Sequence, residues 1–184
     1  MARRRRAPIA AAHGAVAIDL PPEIRSILAS LVGETIELLG PEPADPLAAA
    51  LDTSPVARPE DPSLRRLLPD GYAGEVDDGE AATEFRRLTD GDLRAGKRAD
   101  AQRVLATVAA ASLSVADAEA WTRAINDVRL VLGTRLGLDQ DGDAEQRRAA
   151  ADAGGTVDAL LEVYELLAYV QTLLIDVLDE IAPV

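Results

Sequence analysis

The chain has 184 residues, 48% of them hydrophobic, and carries a net charge of −13 from 32 acidic and 19 basic side chains. It holds no cysteine and one histidine, His13, which excludes disulfides, thiolate nucleophiles, Cys-ligated metal centres and multi-histidine metal sites. Aromatics at 3% leave a core to be built from Leu, Val, Ile and Ala, a composition that suits closely packed helices in one domain of ordinary size.

Residues 1–20 read as a basic arm followed by a short hairpin. Arg3–Arg6 form a solvated arm, with phosphate contact as the alternative. Small and apolar residues alternate over Ala15–Leu20, and His13-Gly14 is placed to turn that strand back on the preceding Ala7–Ala12 segment. Residues 21–184 then read as a single, mostly α domain, a bundle of about five or six helices. Pro21 and Pro22 suit a first helical turn, where a missing N–H costs nothing. The helix runs to about Leu39 with Ile24, Ile27, Leu28, Leu31 and Leu38 on one side, and Gly40-Pro41 stops it. Gly33 inside it suggests close packing.

Residues 41–80 hold seven of the eleven prolines. A Pro-rich acidic loop is expected over 41–61, then a short helix around Pro62–Leu68 that docks through Leu64, Leu67, Leu68 and Tyr72. The next helix is expected to start near Asp78 and reach Leu88. Thr89 with Asp92 resembles a capping box, so either a new helix begins there or one long helix kinks. It continues to about Ala110, burying Leu93, Ala101, Val104, Leu105 and Val108. Ser114 with Asp117 repeats the capping pattern ahead of a helix carrying Trp121, Ile125, Val128, Val131, Leu132 and Leu136, with Gly137 placed to cap its end.

Residues 138–155 read as an acidic surface loop. Asp139, Asp141 and Asp143 imitate the start of a calcium loop, but Ala144 stands where glycine is required and Ala150 where a bidentate acid is required. The final helix runs from about Thr156 to Ile181. It is apolar over more than half its girth, which predicts either a central place in the bundle or a homodimer through this helix. No apolar run approaches the roughly 18–20 residues that span a bilayer, and the start lacks a signal-peptide pattern, so a cytoplasmic protein without membrane contact is expected.

Candidate functional residues concentrate between Glu84 and Leu138, which has nine basic and seven acidic residues in an otherwise acidic chain. Asn126, Asp127 and Arg129 interrupt an apolar helix near Trp121. Asp127 and Arg129 are two positions apart and face different ways, so each needs a partner on another helix. Arg87, Arg94 or Lys97 are the candidates for the carboxylate. If Asp127 is buried and paired, Asp127→Ala should cost several kcal/mol. Arg86, Arg87, Arg94, Lys97 and Arg98 also define a basic face, and Arg135 extends the set. No phosphate-binding glycine loop, catalytic triad, carboxylate pair or metal set is specified, so a non-enzymatic protein without a cofactor is expected.

EFRRLTDGDLRAGKRADAQRVLATV followed by EAWTRAINDVRLVLGTRLGL resembles an actinobacterial family of unknown function, some of whose members are described as oxidative-stress transcriptional regulators. SLRRLLPDGY and AYVQTLL are similar to the family as well. The resemblance covers nearly the whole chain and implies a small all-helical regulator. Family genes often adjoin that of the Clp protease adaptor, which implies a second setting in proteolysis. Phe85, Arg86, Arg87, Leu88, Leu93, Lys97, Trp121, Asn126, Asp127, Arg129, Leu130, Gly133, Arg135 and Leu136 match the family pattern, whereas Arg98 and Asp100 stand where an apolar residue and an asparagine are expected. Without cysteine, thiol-based redox sensing cannot operate in this chain.

The partner expected is therefore a protein, from the transcription machinery or the Clp system. DNA is the alternative, disfavoured by the acidic balance because nucleic-acid binding needs clustered, free Lys and Arg.

Overall fold

The computed structural model describes residues 7–12, 14–45, 54, 56–71, 80–138, 143–150 and 155–182. Within them lie a three-stranded antiparallel sheet and six helices. The elements are β1 (Ile9–Ala12), β2 (Ala15–Ile18), α1 (Pro22–Leu39), α2 (Pro62–Leu67), α3 (Glu80–Thr107), β3 (Ser112–Leu113), α4 (Val115–Leu136), α5 (Asp143–Ala150) and α6 (Thr156–Ile181). The basic arm Arg3–Arg6, His13, Tyr72, Asp78, Asp139 and Asp141 lie outside the described residues.

The expected hairpin is present, with Ile9 opposite Ile18 and Ala12 opposite Ala15. Gly14 takes a left-handed φ of 77° in the turn, a conformation glycine adopts at no steric cost. Ile9, Val16 and Ile18 point inward and are buried, so short alanine-rich strands are held by their apolar alternate positions and by packing on α6 and α4. The third strand was not anticipated. Val16 pairs with Leu113, and Ile18 N–H donates to the Ala111 carbonyl at 2.9 Å. A two-residue strand has too short an alternation to be read from sequence.

The sheet closes one end of the core. α4 forms its axis, packing against α6, α3, α2 and α1. Trp121, Ile125, Val128, Val131, Leu132 and Leu136 are all buried, as their spacing predicts. The Ser114 hydroxyl accepts from Asp117 N–H at 3.1 Å and caps α4, and Gly137 ends it in a left-handed conformation at φ 68°. A smaller cluster of Leu39, Leu67, Leu68 and Val131 docks α2 on the bundle, with Leu64 partly buried beside it. Asp61 caps α2 by accepting from Leu64 N–H at 2.9 Å.

Several expectations need correction. Of the two alternatives at Thr89, a single long helix, α3, is the one present, continuous through that residue, whose hydroxyl donates back to the Phe85 carbonyl at 2.8 Å instead of capping a new start. It ends at Thr107, because residues 111–113 are drawn out to pair with the hairpin. Ala101 and Val104 are buried on it, but Leu93 and Leu105 are exposed: α3 lies at the side of α4 and buries a stripe narrower than its apolar residues would allow. On α1 the inward face is Leu28, Val32, Thr35 and Leu39, with Ile27 exposed, and Gly33 has open space where a side chain would stand. The 138–155 segment contains the helix α5. α6 buries Leu161, Leu167, Val170, Gln171, Leu174 and Val177, so most of its apolar girth is consumed inside the chain, although Val157 is exposed.

Candidate functional site

The interrupting polar residues of α4 divide between two sides of the helix. Asp127 turns to α3, where Lys97 Nζ donates to its Oδ1 at 2.7 Å. The Asp127 side chain is 6% exposed and that of Lys97 22%, so the pair is buried at one end and wet at the other. Of the three cations considered as partners, Lys97 is the one that meets it. Arg87 pairs instead with Glu84 at 2.6 Å and Arg94 with Asp90 at 2.6 Å, each one turn away on α3 itself.

Arg129 turns to α6. Its Nη1 donates to Gln171 Oε1 at 2.6 Å, its Nη2 to the Tyr164 hydroxyl at 3.4 Å, and the guanidinium carbon sits 5.0 Å from the centre of the Tyr164 ring. Asn126 lies between these two sides and is exposed. Trp121 is fully buried, its indole N–H donating to Thr107 Oγ1 at 2.8 Å, which places it in the core and not on a partner surface.

The remaining cations hold elements together. Arg86 is buried and donates to Asp70 Oδ1 at 2.9 Å, to the Val56 carbonyl at 3.1 Å and to Thr83 Oγ1 at 3.1 Å. It ties the chain on both sides of α2 to α3. In the same region Gly71 lies so close to the Phe85 ring that a Cβ there would stand 2.6 Å from it, so the family-matching Phe85 needs glycine opposite. Arg94 donates to the Leu39 carbonyl at 2.8 Å and Arg98 to that of Gly40 at 2.5 Å. α1 has no basic residue in its last turn, and these two arginines supply from α3 the positive charge that a helix C-terminus favours. Asp100 receives Arg123 at 2.7 and 2.8 Å, raising the Arg123 pKa mainly through that hydrogen bond. The two positions that depart from the family pattern are thus internal ties here. Arg135 pairs with Glu34 of α1 at 3.2 Å, an exposed contact.

An open cleft of about 460 Å³ separates α3 from α4, with Leu93, Lys97 and Asp100 on one wall, Arg123, Asn126 and Asp127 on the other and Gln171 of α6 at its base. Burial pushes the Asp127 carboxyl above its ordinary pKa, Lys97 opposes that shift, and the nearby charge of Asp100 adds to it. The ion pair therefore does not fully offset desolvation. The folded chain binds this proton more tightly than the unfolded chain, so the Asp127 contribution to stability improves on acidification through the carboxylate range and is lost as pH rises through the raised folded pKa, with no further change above it. Asp127→Asn should melt no lower than the parent at neutral pH and show a flatter pH dependence. Asp127→Ala, which deletes the acceptor and leaves Lys97 alone, should cost about 2 kcal/mol, held to that figure because Lys97 can turn to water. Chemical unfolding of both variants across the carboxylate range checks this; an asparagine variant as damaged as the alanine one would sink it.

Helices held by internal ion pairs around an open cleft define a small helical protein in which many polar residues tie one element to another. The chain belongs to the family described as a domain of unknown function, DUF2017, whose sequence profile matches residues 3–178. It is similar to oxidative stress regulator AosR of Mycobacterium tuberculosis strain H37Rv, 35% identical over 144 residues, which cover 67% of this chain and 66% of that protein. The Mycobacterium bovis protein of the same name matches to the same extent. A Mycobacterium leprae protein named for the same regulator is 33% identical over 177 residues, 84% of this chain and 78% of the relative. No solved structure matches.

Proposed function

We propose that this chain is a non-enzymatic regulator in the oxidative-stress response that acts through protein contacts with the transcription machinery. The names of its mycobacterial relatives support the regulatory part. The mode of action rests on one observation: four of the five cations of the expected basic face are neutralised within the chain, and the fifth, Arg98, is buried against the Gly40 carbonyl. Arg86 is matched by Asp70, Arg87 by Glu84, Arg94 by Asp90 and Lys97 by Asp127. Phosphate binding along DNA requires cations free to displace counterions, and a chain at −13 with these four occupied offers a poor duplex footprint. No described helix is long and apolar enough to cross a membrane.

Affinity capture from oxidatively stressed actinobacterial lysate treated with nuclease is expected to recover RNA polymerase or a sigma factor. Recovery of Clp components alone would replace this reading with an adaptor in proteolysis. Duplex DNA bound by the purified chain, with affinity falling steeply as salt rises, would replace it with direct DNA binding. A homodimer through α6 belongs to the same reading. It would use the outer surface around Tyr169 and Ile175, which are 54% and 42% exposed but flanked by Glu165, Asp176 and Asp179. A monomeric mass at high concentration removes it.

A further inference from the structure

Where α2, α4 and α6 meet, a second and smaller cavity of about 130 Å³ opens beside Asn126, which lines the cleft as well. Its walls include Arg66, Arg129, Asn126, Thr134, Gly133 and Tyr164, with no carboxylate among the lining residues. That is unusual in this chain, where most described cations are met by an acid. Arg129 is half-buried and its charge faces neutral partners only, the Gln171 amide oxygen and the Tyr164 hydroxyl and ring. Its Nε is buried and has no hydrogen-bond partner among the described residues. A guanidinium in this setting has lost water without gaining an anion, which leaves its charge undercompensated.

We propose that this cavity binds a phosphate-sized oxyanion. Two arginines converge on it from different elements, and guanidinium forks match the oxygens of a phosphate in geometry as well as charge. Tyr164 accepts from Arg129 and so keeps its own proton to donate, while the Asn126 amide provides a further donor at the rim. The volume admits a phosphoryl group and little more, so anything attached to that group stays outside in solvent. The site adjoins the α3–α4 cleft, with Asn126 lining both, and does not depend on the chain's being a regulator.

The test is a titration of the full chain with sodium phosphate, followed by amide NMR and matched in ionic strength with sodium chloride. Saturable shifts confined to Asn126, Gly133, Thr134 and Leu138 are expected with phosphate and not with chloride. Arg66→Ala, an exposed change that should leave the fold intact, is expected to weaken binding about tenfold, and Arg129→Lys, which keeps the charge but loses the fork, by a similar factor. Arg103→Ala, on an exposed ion pair elsewhere, should leave the affinity unchanged. Methyl phosphate in a parallel titration separates the two sources: tighter binding than phosphate identifies an ester, equal or weaker binding the free ion. Absence of saturable shifts, shifts spread over all exposed arginines, or an affinity indifferent to both cavity substitutions would overturn the proposal.

Discussion

Replacing Trp121 with alanine is expected to lower the unfolding free energy by about 4 kcal/mol, at the upper end of what one core truncation costs. The indole is wholly buried among residues of the sheet and of α1, α3, α4 and α6, so its removal opens a void that several elements would have to shift together to fill. It also strips Thr107 of its donor at the point where α3 ends. Trp121→Phe keeps most of the volume and loses the N–H, so it should cost about 1 to 2 kcal/mol. Urea unfolding of both variants gives the comparison. A loss below about 1 kcal/mol for the alanine variant would contradict the position of Trp121 at the centre of the core.

Arg25→Met is expected to cost about 3 kcal/mol, although nothing around Arg25 in the sequence marks it. Its Nε donates to the Leu20 carbonyl at 2.9 Å and its Nη2 to that of Ile18 at 3.1 Å. Its Nη1 donates to the carbonyls of Ala110, at 2.8 Å, and Val108. One side chain thus fastens the end of the hairpin and the start of α1 to the turn after α3. Methionine approximates the length and the apolar stem but leaves four carbonyls to find water, at roughly 1 kcal/mol each, partly recovered by solvation. Arg25→Lys should recover less than half of the loss, because an ammonium cannot span both pairs with a planar fork. Equal stability of the methionine and parent chains would show that these carbonyls are already hydrated.

What could be read in advance was local. The Ser114–Asp117 cap, the left-handed Gly137, the hairpin turn and the buried stripe of α4 each depend on residues within a few positions of one another, and each is present. Thr89 and Asp92 carry a similar local pattern but sit within a helix whose flanking packing keeps it continuous, so tertiary context prevailed over the signal. For the site, the sequence placed Asp127 and Arg129 on separate sides of α4 and included Lys97 among the possible partners. It could not choose Lys97 over Arg87 and Arg94, because that depends on which turn of α3 crosses α4. Nor could it show Arg94 and Arg98 serving the end of α1 or Arg66 and Arg129 lining one cavity, arrangements set by how distant segments are brought together.

The hairpin also sets the order in which the chain can fold. β2 gains its outer neighbour only after Leu113, roughly a hundred positions later, has returned to it, and that loop closure is entropically costly before any contact repays it. β1 further leans on α6, which follows later still. A four-residue ribbon of alanine-rich strands has little persistence alone. The hairpin can therefore complete its sheet only once the helices that follow it have docked, with α4 as their common partner. A ribosome-bound chain would keep Ile9, Val16 and Ile18 uncovered through most of its synthesis, which makes the hairpin the segment most open to chaperones before folding is complete.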